Sequence, residues 1–461
     1  MLKRRNFSLY KWLPESLRKY FQMNRRERKH EMQSTLWYMP LLYITLSLLL
    51  VAATLTADIL MEAETYVPPI MRISAEATQV LVSTLIGGIL TLSAFTLNSL
   101  LVFLTTFSGQ FSPRMLLNFV SDKKTQHALG IFNGNFVYVL VVFLFIGSTQ
   151  REVFAVVPAV TISVTFLSSI TFIYFINHAT TWMQVHNITD TMKKNSQKII
   201  KTTLSEELEV YRTKEPGYIM NEEKSKETFV PAERNGYIQL IDYRKMIEHA
   251  RRDNVIIQFH VSMGEYVLEG NTLFSYWGKN VEAIDENQYF DMIRIGHKEL
   301  EVQDLHLGMH KLSEIAVKSL GNNDPKTVIN SIHQMAELML NVVSHVTFTP
   351  YLVDHDRQVR VILVSESFES YLHKGFGYIR FYAGNDHLII AEMTKAFSKL
   401  APAIDEQKKQ AVWDFIYDTA LHLDPDKIYR LDRKFLLEAF KQLADETGRK
   451  DDYQKIELHF S

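Results

Sequence analysis

Side chains able to do chemistry are thinly spread along this chain. His178 and His186, with Asn177 and Asp190 nearby, follow the last long apolar run. Two histidines eight apart share a helix face but do not close on one metal ion without further ligands, so packing at a membrane surface is the plainer role. The segment Tyr351-Leu352-Val353-Asp354-His355-Asp356 offers carboxylates and an imidazole for metal binding or acid–base work, against the plainer reading of a solvated turn. Arg294, Gln303, Asp304, Asn323 and Asp324 read as a polar network holding a helical region, with ligand recognition as the alternative. No phosphate loop, dinucleotide glycine pattern, H-E-x-x-H or G-x-S-x-G is present. There is no cysteine, which excludes disulfides, thiolate metal sites and a cysteine nucleophile together. The expectation is a protein without catalytic residues, metal or cofactor.

The stretch from Ala77 to Phe107 holds a different kind of information. It has no Asp, Glu, Lys or Arg and is long enough to span a bilayer as a helix. It is also polar for such a run. Thr84, Gly88, Thr91, Asn98 and Thr105 share one broad helical face, and Leu85, Ile89, Leu92 and Leu100 lie largely opposite. Small and hydroxylated residues allow close helix packing. The same face would also suit a wetted path, which makes these five the pore-lining candidates.

The rest of the chain must position that stretch. The hydrophobic share of 47% averages two unlike halves, apolar runs to about residue 180 and ordinary charge density beyond. Residues 1–35 form a basic segment, in which Arg25, Arg26, Arg28 and Lys29 suit the anionic lipids of a cytoplasmic leaflet. A transmembrane domain over 36–180 is expected to contain four helices, at about 36–57, 75–107, 127–147 and 153–176. Basic residues flank the first span on its N-terminal side and follow the second and fourth, while Asp58, Glu62 and Glu64 follow the first. By the positive-inside rule both termini are then cytoplasmic. The lead before the first apolar run is too long and polar for a signal peptide.

Beyond the spans, a helical stalk and linker is expected over 181–233. A small β module at 234–278 carries Gly264-Glu265-Tyr266-Val267-Leu268-Glu269-Gly270, whose glycine spacing resembles a corner of the barrel-sandwich fold of biotinyl and lipoyl carriers. The lysine that a carrier needs at the hairpin tip is absent. A mostly helical cytoplasmic domain fills 279–461. The fold class is thus a membrane protein with an N-terminal four-helix transmembrane domain and a cytoplasmic α+β region. The formal net charge of −2 gives no argument for a nucleic-acid partner.

Phe95–Phe119, Tyr174–Asn187, Gly236–Leu273 and Gln303–Thr327 together resemble an uncharacterised bacterial family of predicted multi-pass membrane proteins, a domain of unknown function. Ser-Gly-Gln-Phe-Ser-Pro-Arg at 108–114 and Asn-Asp-Pro-x-Thr at 323–327 are the specific parts. Gly308-Met309-His310-Lys311 and Gly321-Asn322 depart from the family pattern, where an arginine and Ser-Pro are usual. The resemblance implies a bacterial inner-membrane location and no particular activity. Three functions remain open. One is a homo-oligomeric channel or conduit lined by the second span. The others are a membrane-anchored sensor or scaffold, and a secondary transporter.

Overall fold

The computed structural model describes residues 38–110, 122–149, 151–182, 184–201, 208–216, 224, 226–279, 284–297, 299 and 305–461. The basic set Arg25, Arg26, Arg28 and Lys29, and also Gln303 and Asp304, lie outside the described residues. The chain divides into two units, Met1–Gln184 and Val185–Ser461.

In the first unit, four helices among the described residues are long and apolar enough to cross a membrane. These are α1 (Tyr38–Ile59), α2 (Ala75–Gln110), α3 (Lys123–Ile146) and α4 (Val156–Trp182). Helix α3 packs against the other three. Half of its apolar window, 50%, is buried, against 17% for α2, so α2 is the span least covered by its own chain. Close approach of α1 and α3 depends on two glycines. A Cβ on Gly130 would stand 2.4 Å from the Tyr43 ring, and one on Gly134 would stand 2.7 Å from Ser47 Oγ and 3.0 Å from the Tyr43 carbonyl. This is the small-residue packing expected between membrane helices. Asn135 ties α3 to α4, its amide donating to the Val164 carbonyl at 2.9 Å and to Ser168 Oγ at 2.7 Å.

Two polar clamps finish the bundle. At the end where the chain leaves α1, Asp58 is fully buried, and its carboxylate accepts N–H groups from Ala155, Val156 and Val157 at the start of α4. A helix N-terminus welcomes an anion there, because its first N–H groups have no partners of their own. Asp58 therefore belongs to the end of a span rather than to the acidic loop expected after it. Arg151 bridges Glu62 and Glu64 and donates to the Ile59 carbonyl. Two short strands, β1 (Ile73–Ser74) and β2 (Val153–Phe154), pair antiparallel beside them. At the other end of α3, Asp122 caps the helix through the N–H groups of Lys124 and Thr125 and meets His178 of α4 at 2.8 Å.

The second unit opens with α5 (Val185–Ile199). Its strands are β3 (Thr228–Pro231), β4 (Gly236–Ile241), β5 (Val255–Phe259), β6 (Tyr266–Val267), β7 (Thr272–Gly278), β8 (Ile293–Gly296), β9 (Tyr351–Val353) and β10 (Val359–Ile362). They form a five-stranded sheet, β3-β7-β5-β10-β9, and a three-stranded sheet, β6-β4-β8. Only β10 against β5 is parallel, with Val361 opposite Ile257. Gly264 and Gly270 occupy turns on either side of β6 at φ 79° and 88°, the left-handed region where a side chain is strained. Helices α6 (Tyr243–Arg252) and α7 (Glu286–Phe290) accompany the sheets, and Met246, Ile247, Phe259, Phe274 and Tyr289 share one apolar core with them.

Between β8 and β9 the chain makes a helical hairpin, α8 (Leu305–Gly321) and α9 (Pro325–His345). Its turn follows the sequence closely. Asn323 takes φ 54°, Asp324 accepts from Thr327 N–H at 3.2 Å, and Pro325 opens α9. Helix α5 packs against both arms, with Lys193 on Glu337 at 2.8 Å. The remaining helices are α10 (Phe368–Ala383), α11 (His387–Leu400), α12 (Glu406–Leu421), α13 (Arg430–Thr447) and α14 (Lys450–His459).

Candidate functional site

The orientation of α2 decides what its polar face is for. Ile89 is fully buried and Leu92 half-buried, both packed in apolar clusters of the bundle, and Leu85 is half-buried. Thr84, Gly88, Thr91, Asn98 and Thr105 are all exposed. Packing inside the protomer is therefore not the role of this face. The contrast between glycines makes the same point, since a Cβ at Gly87 or Gly88 would meet nothing within 4 Å. Thr84, Thr91 and Thr105 each donate their hydroxyl to a carbonyl of the preceding turn, at 2.8, 2.8 and 2.9 Å. Such back-bonding leaves oxygen lone pairs available outward while sparing the donor.

Asn98 is different. It is exposed and makes no hydrogen bond among the described residues. An amide left bare in hydrocarbon costs several kcal/mol, on the order of 2–7. Asn98 is thus an exposed amide on an apolar span with no partner among the described residues.

The other sequence candidates fall into structural roles. Asp122 would be raised by its burial, but the His178 hydrogen bond and charge and the capping N–H groups outweigh that and hold it below the usual carboxylate range. His186 is exposed, and Asp190 pairs with Lys193 and Lys194. Arg294 lies on β8, whereas Asn323 and Asp324 sit in the α8–α9 turn, where Asp324 serves as the cap. The turn after β9 is not simply solvated. Asp354 is buried, 2.7 Å from Arg360, and also accepts from the N–H groups of Asp356 and Gln358. Burial pulls its carboxyl upward, and the Arg360 hydrogen bond with those N–H groups takes it below the usual range.

One polar cluster was missed from the sequence. Arg212 lies 3.1 Å from Glu209 and donates to the Thr349 carbonyl at 2.8 Å, and Glu209 accepts from the Thr347 N–H. Glu366 lies 3.4 Å from His306 and accepts from the Tyr371 hydroxyl, and the His306 ring lies tilted against Tyr371, with centroids 4.0 Å apart. Burial raises the Glu209 carboxyl despite Arg212, while His306 and Tyr371 hold Glu366 low against its own burial. His306 and Glu366 are sixty residues apart, so no local pattern announces the pair.

A family model described as "Predicted membrane protein (DUF2254)" matches residues 33–399, from just before α1 to the end of α11. The chain belongs to this family. Within the DUF2254 match lie all four apolar helices and both larger sheets, while α12, α13 and α14 fall beyond it. Uncharacterized proteins of Mycobacterium tuberculosis and Mycobacterium bovis are 25% identical over 319 residues, covering 66% of this chain and 60% of theirs. The chain thus aligns with less than two thirds of the length of these curated relatives. No solved structure matches.

Proposed function

We propose that this DUF2254 protein is a homo-oligomeric membrane channel or conduit lined by α2, with the second unit as its regulatory region. The observation carrying this reading is Asn98, an exposed amide with no partner among the described residues, inside an apolar span. Symmetry mates or water would satisfy it, and both are available where copies of α2 surround an axis. The back-bonded threonines and open glycines on the same face suit close approach between copies. A lone anchored sensor or scaffold would leave the amide facing lipid. A secondary transporter needs an intramembrane charge for coupling, and the buried carboxylate at Asp58 is committed to the start of α4.

The charge pattern supports a bacterial inner membrane, with both termini cytoplasmic and the basic N-terminal segment against anionic lipids. The glycine turns around β6 support a barrel-sandwich likeness in which the module is structural, without a carrier lysine. No enzymatic activity and no cofactor belong to this reading. Disulfide cross-linking tests it. Cysteines replacing Thr91 or Asn98 should link copies through α2 on mild oxidation, while cysteines at Leu85 or Ile89 should not. Equal absence of linkage at all four positions contradicts a shared α2 axis.

A further inference from the structure

The hydroxyls along α2 bear on what a path there would carry. Ser83, Thr84 and Thr91 are exposed, and their oxygens lie 2.9, 2.8 and 2.8 Å from backbone carbonyls of the preceding turn. A carbonyl can only accept, so each hydroxyl spends its one proton on its own helix. What it turns outward is oxygen lone pairs. Asn98 adds two N–H donors and one carbonyl oxygen, which favour neither sign of charge. Between Arg72 and Arg114 the sequence has no Lys or Arg. An anion would therefore meet acceptors and no cationic side chain on this helix, whereas a hydrated cation would meet ligands of the sign it needs.

Glu76 is the one charged side chain of α2, and it lies on the same side. At 3.6 residues per turn it falls about 40° from Asn98, about 60° from Thr91 and about 80° from Thr84. It is exposed and has no partner for its carboxylate among the described residues. The start of α2 is served without it, since Ser74 Oγ accepts the Ala77 N–H at 3.3 Å. The bases at this end are taken up by the loops: Arg72 donates to the Val67 carbonyl at 3.1 Å, and Arg151 bridges Glu62 and Glu64. Residues 58–76 and 151–152 hold the acids Asp58, Glu62, Glu64, Glu76 and Glu152 against Arg72 and Arg151, and of these acids only Asp58 is buried. The solvent-facing charge there is negative. At the opposite end, Lys123 and Lys124 belong to α3 and not to the lining helix. Carboxylates around a mouth concentrate cations and repel anions.

We propose that the path along α2 takes small hydrated cations and rejects anions, with Glu76 making the selection at its mouth. This rests on the conduit reading and names its solute class. Charged thiol reagents test it, because the parent has no cysteine. The full chain carrying Thr91→Cys, in liposomes, is treated with a trimethylammonium thiosulfonate and with a sulfonate-bearing thiosulfonate of similar size. Each rate is divided by that of the same reagent with a small free thiol. The cation-to-anion ratio should exceed one by at least several-fold at low salt, where surface charge is least screened. Glu76→Gln should lower the ratio at least several-fold, and Glu76→Asp should keep it. Glu152→Gln removes an equal charge from outside α2 and should leave the ratio unchanged. Reversal potentials of the cysteine-free parent across a potassium chloride gradient should show the same preference for the cation. Equal labelling by both reagents, a ratio unmoved by Glu76→Gln or moved as much by Glu152→Gln, or a chloride-selective current overturns the selection by Glu76 and leaves the conduit standing. Labelling of the cysteine by neither reagent overturns both.

Discussion

Asp58 Oδ2 accepts the Val157 N–H at 2.7 Å, joining the last turn of α1 to the first turn of α4. The same carboxylate takes the Val156 N–H at 2.9 Å. Hydrogen bonds to a charged group contribute about 1.5–3 kcal/mol each, and buried N–H groups left bare cost a comparable amount. Asp58→Ala should therefore destabilise the four-helix unit by about 2–4 kcal/mol, and Asp58→Asn, which keeps one acceptor oxygen, by less. Denaturant titration in detergent micelles checks the order. Equal midpoints for the two variants and the parent would contradict the clamp.

The glycines separate protomer packing from assembly. Gly134→Ala puts a Cβ 3.0 Å from the Tyr43 carbonyl, where little can give, and Gly130→Ala drives one into the Tyr43 ring. Overpacking of this kind costs about 1–3 kcal/mol. Gly87→Ala and Gly88→Ala meet nothing in the protomer and should leave its unfolding midpoint unchanged or slightly raised. In an assembly through α2, leucine at Gly88 should lower the oligomer fraction by mass photometry while the protomer stays folded. An oligomer insensitive to Gly88→Leu would mean that copies meet elsewhere.

Four spans were legible because charge-free apolar runs of that length suit a bilayer core and little else, and the Asp324-Pro325 start of α9 was legible because its signal is local. The parallel pairing of β10 with β5, about a hundred residues earlier, has no local signal. Asp58 reads as a loop acid because its partners lie 97–99 residues on. The polar side of α2 was legible as a stripe. Its outward direction depends on where Ile89 and Val82 pack, which only the assembled bundle decides.

The Asp354–Arg360 pair gives a pH dependence with a definite sign. The folded carboxyl lies below its usual value of about 3.9. Its stabilisation is complete above that value and is lost as pH falls through the lower folded one. Both side chains are buried, so Arg360→Met leaves an unpaired charge and should cost about 3–5 kcal/mol near neutrality. The deficit should shrink when the same urea titrations are run near pH 3, because protonation removes that charge. A deficit that grows on acidification would contradict the assignment.

Labelling along α2 with a small water-soluble thiol reagent tests the central claim most directly. The parent has no cysteine, so single cysteines at Thr84, Gly88, Thr91, Asn98, Thr105, Leu85, Ile89 and Leu92 give a clean background in liposomes. The account predicts modification at the first five and protection at the last three, with Asn98→Leu abolishing solute passage in otherwise folded protein. Uniform protection of all eight, with no ion or solute passed by the reconstituted parent, would contradict a conduit lined by α2.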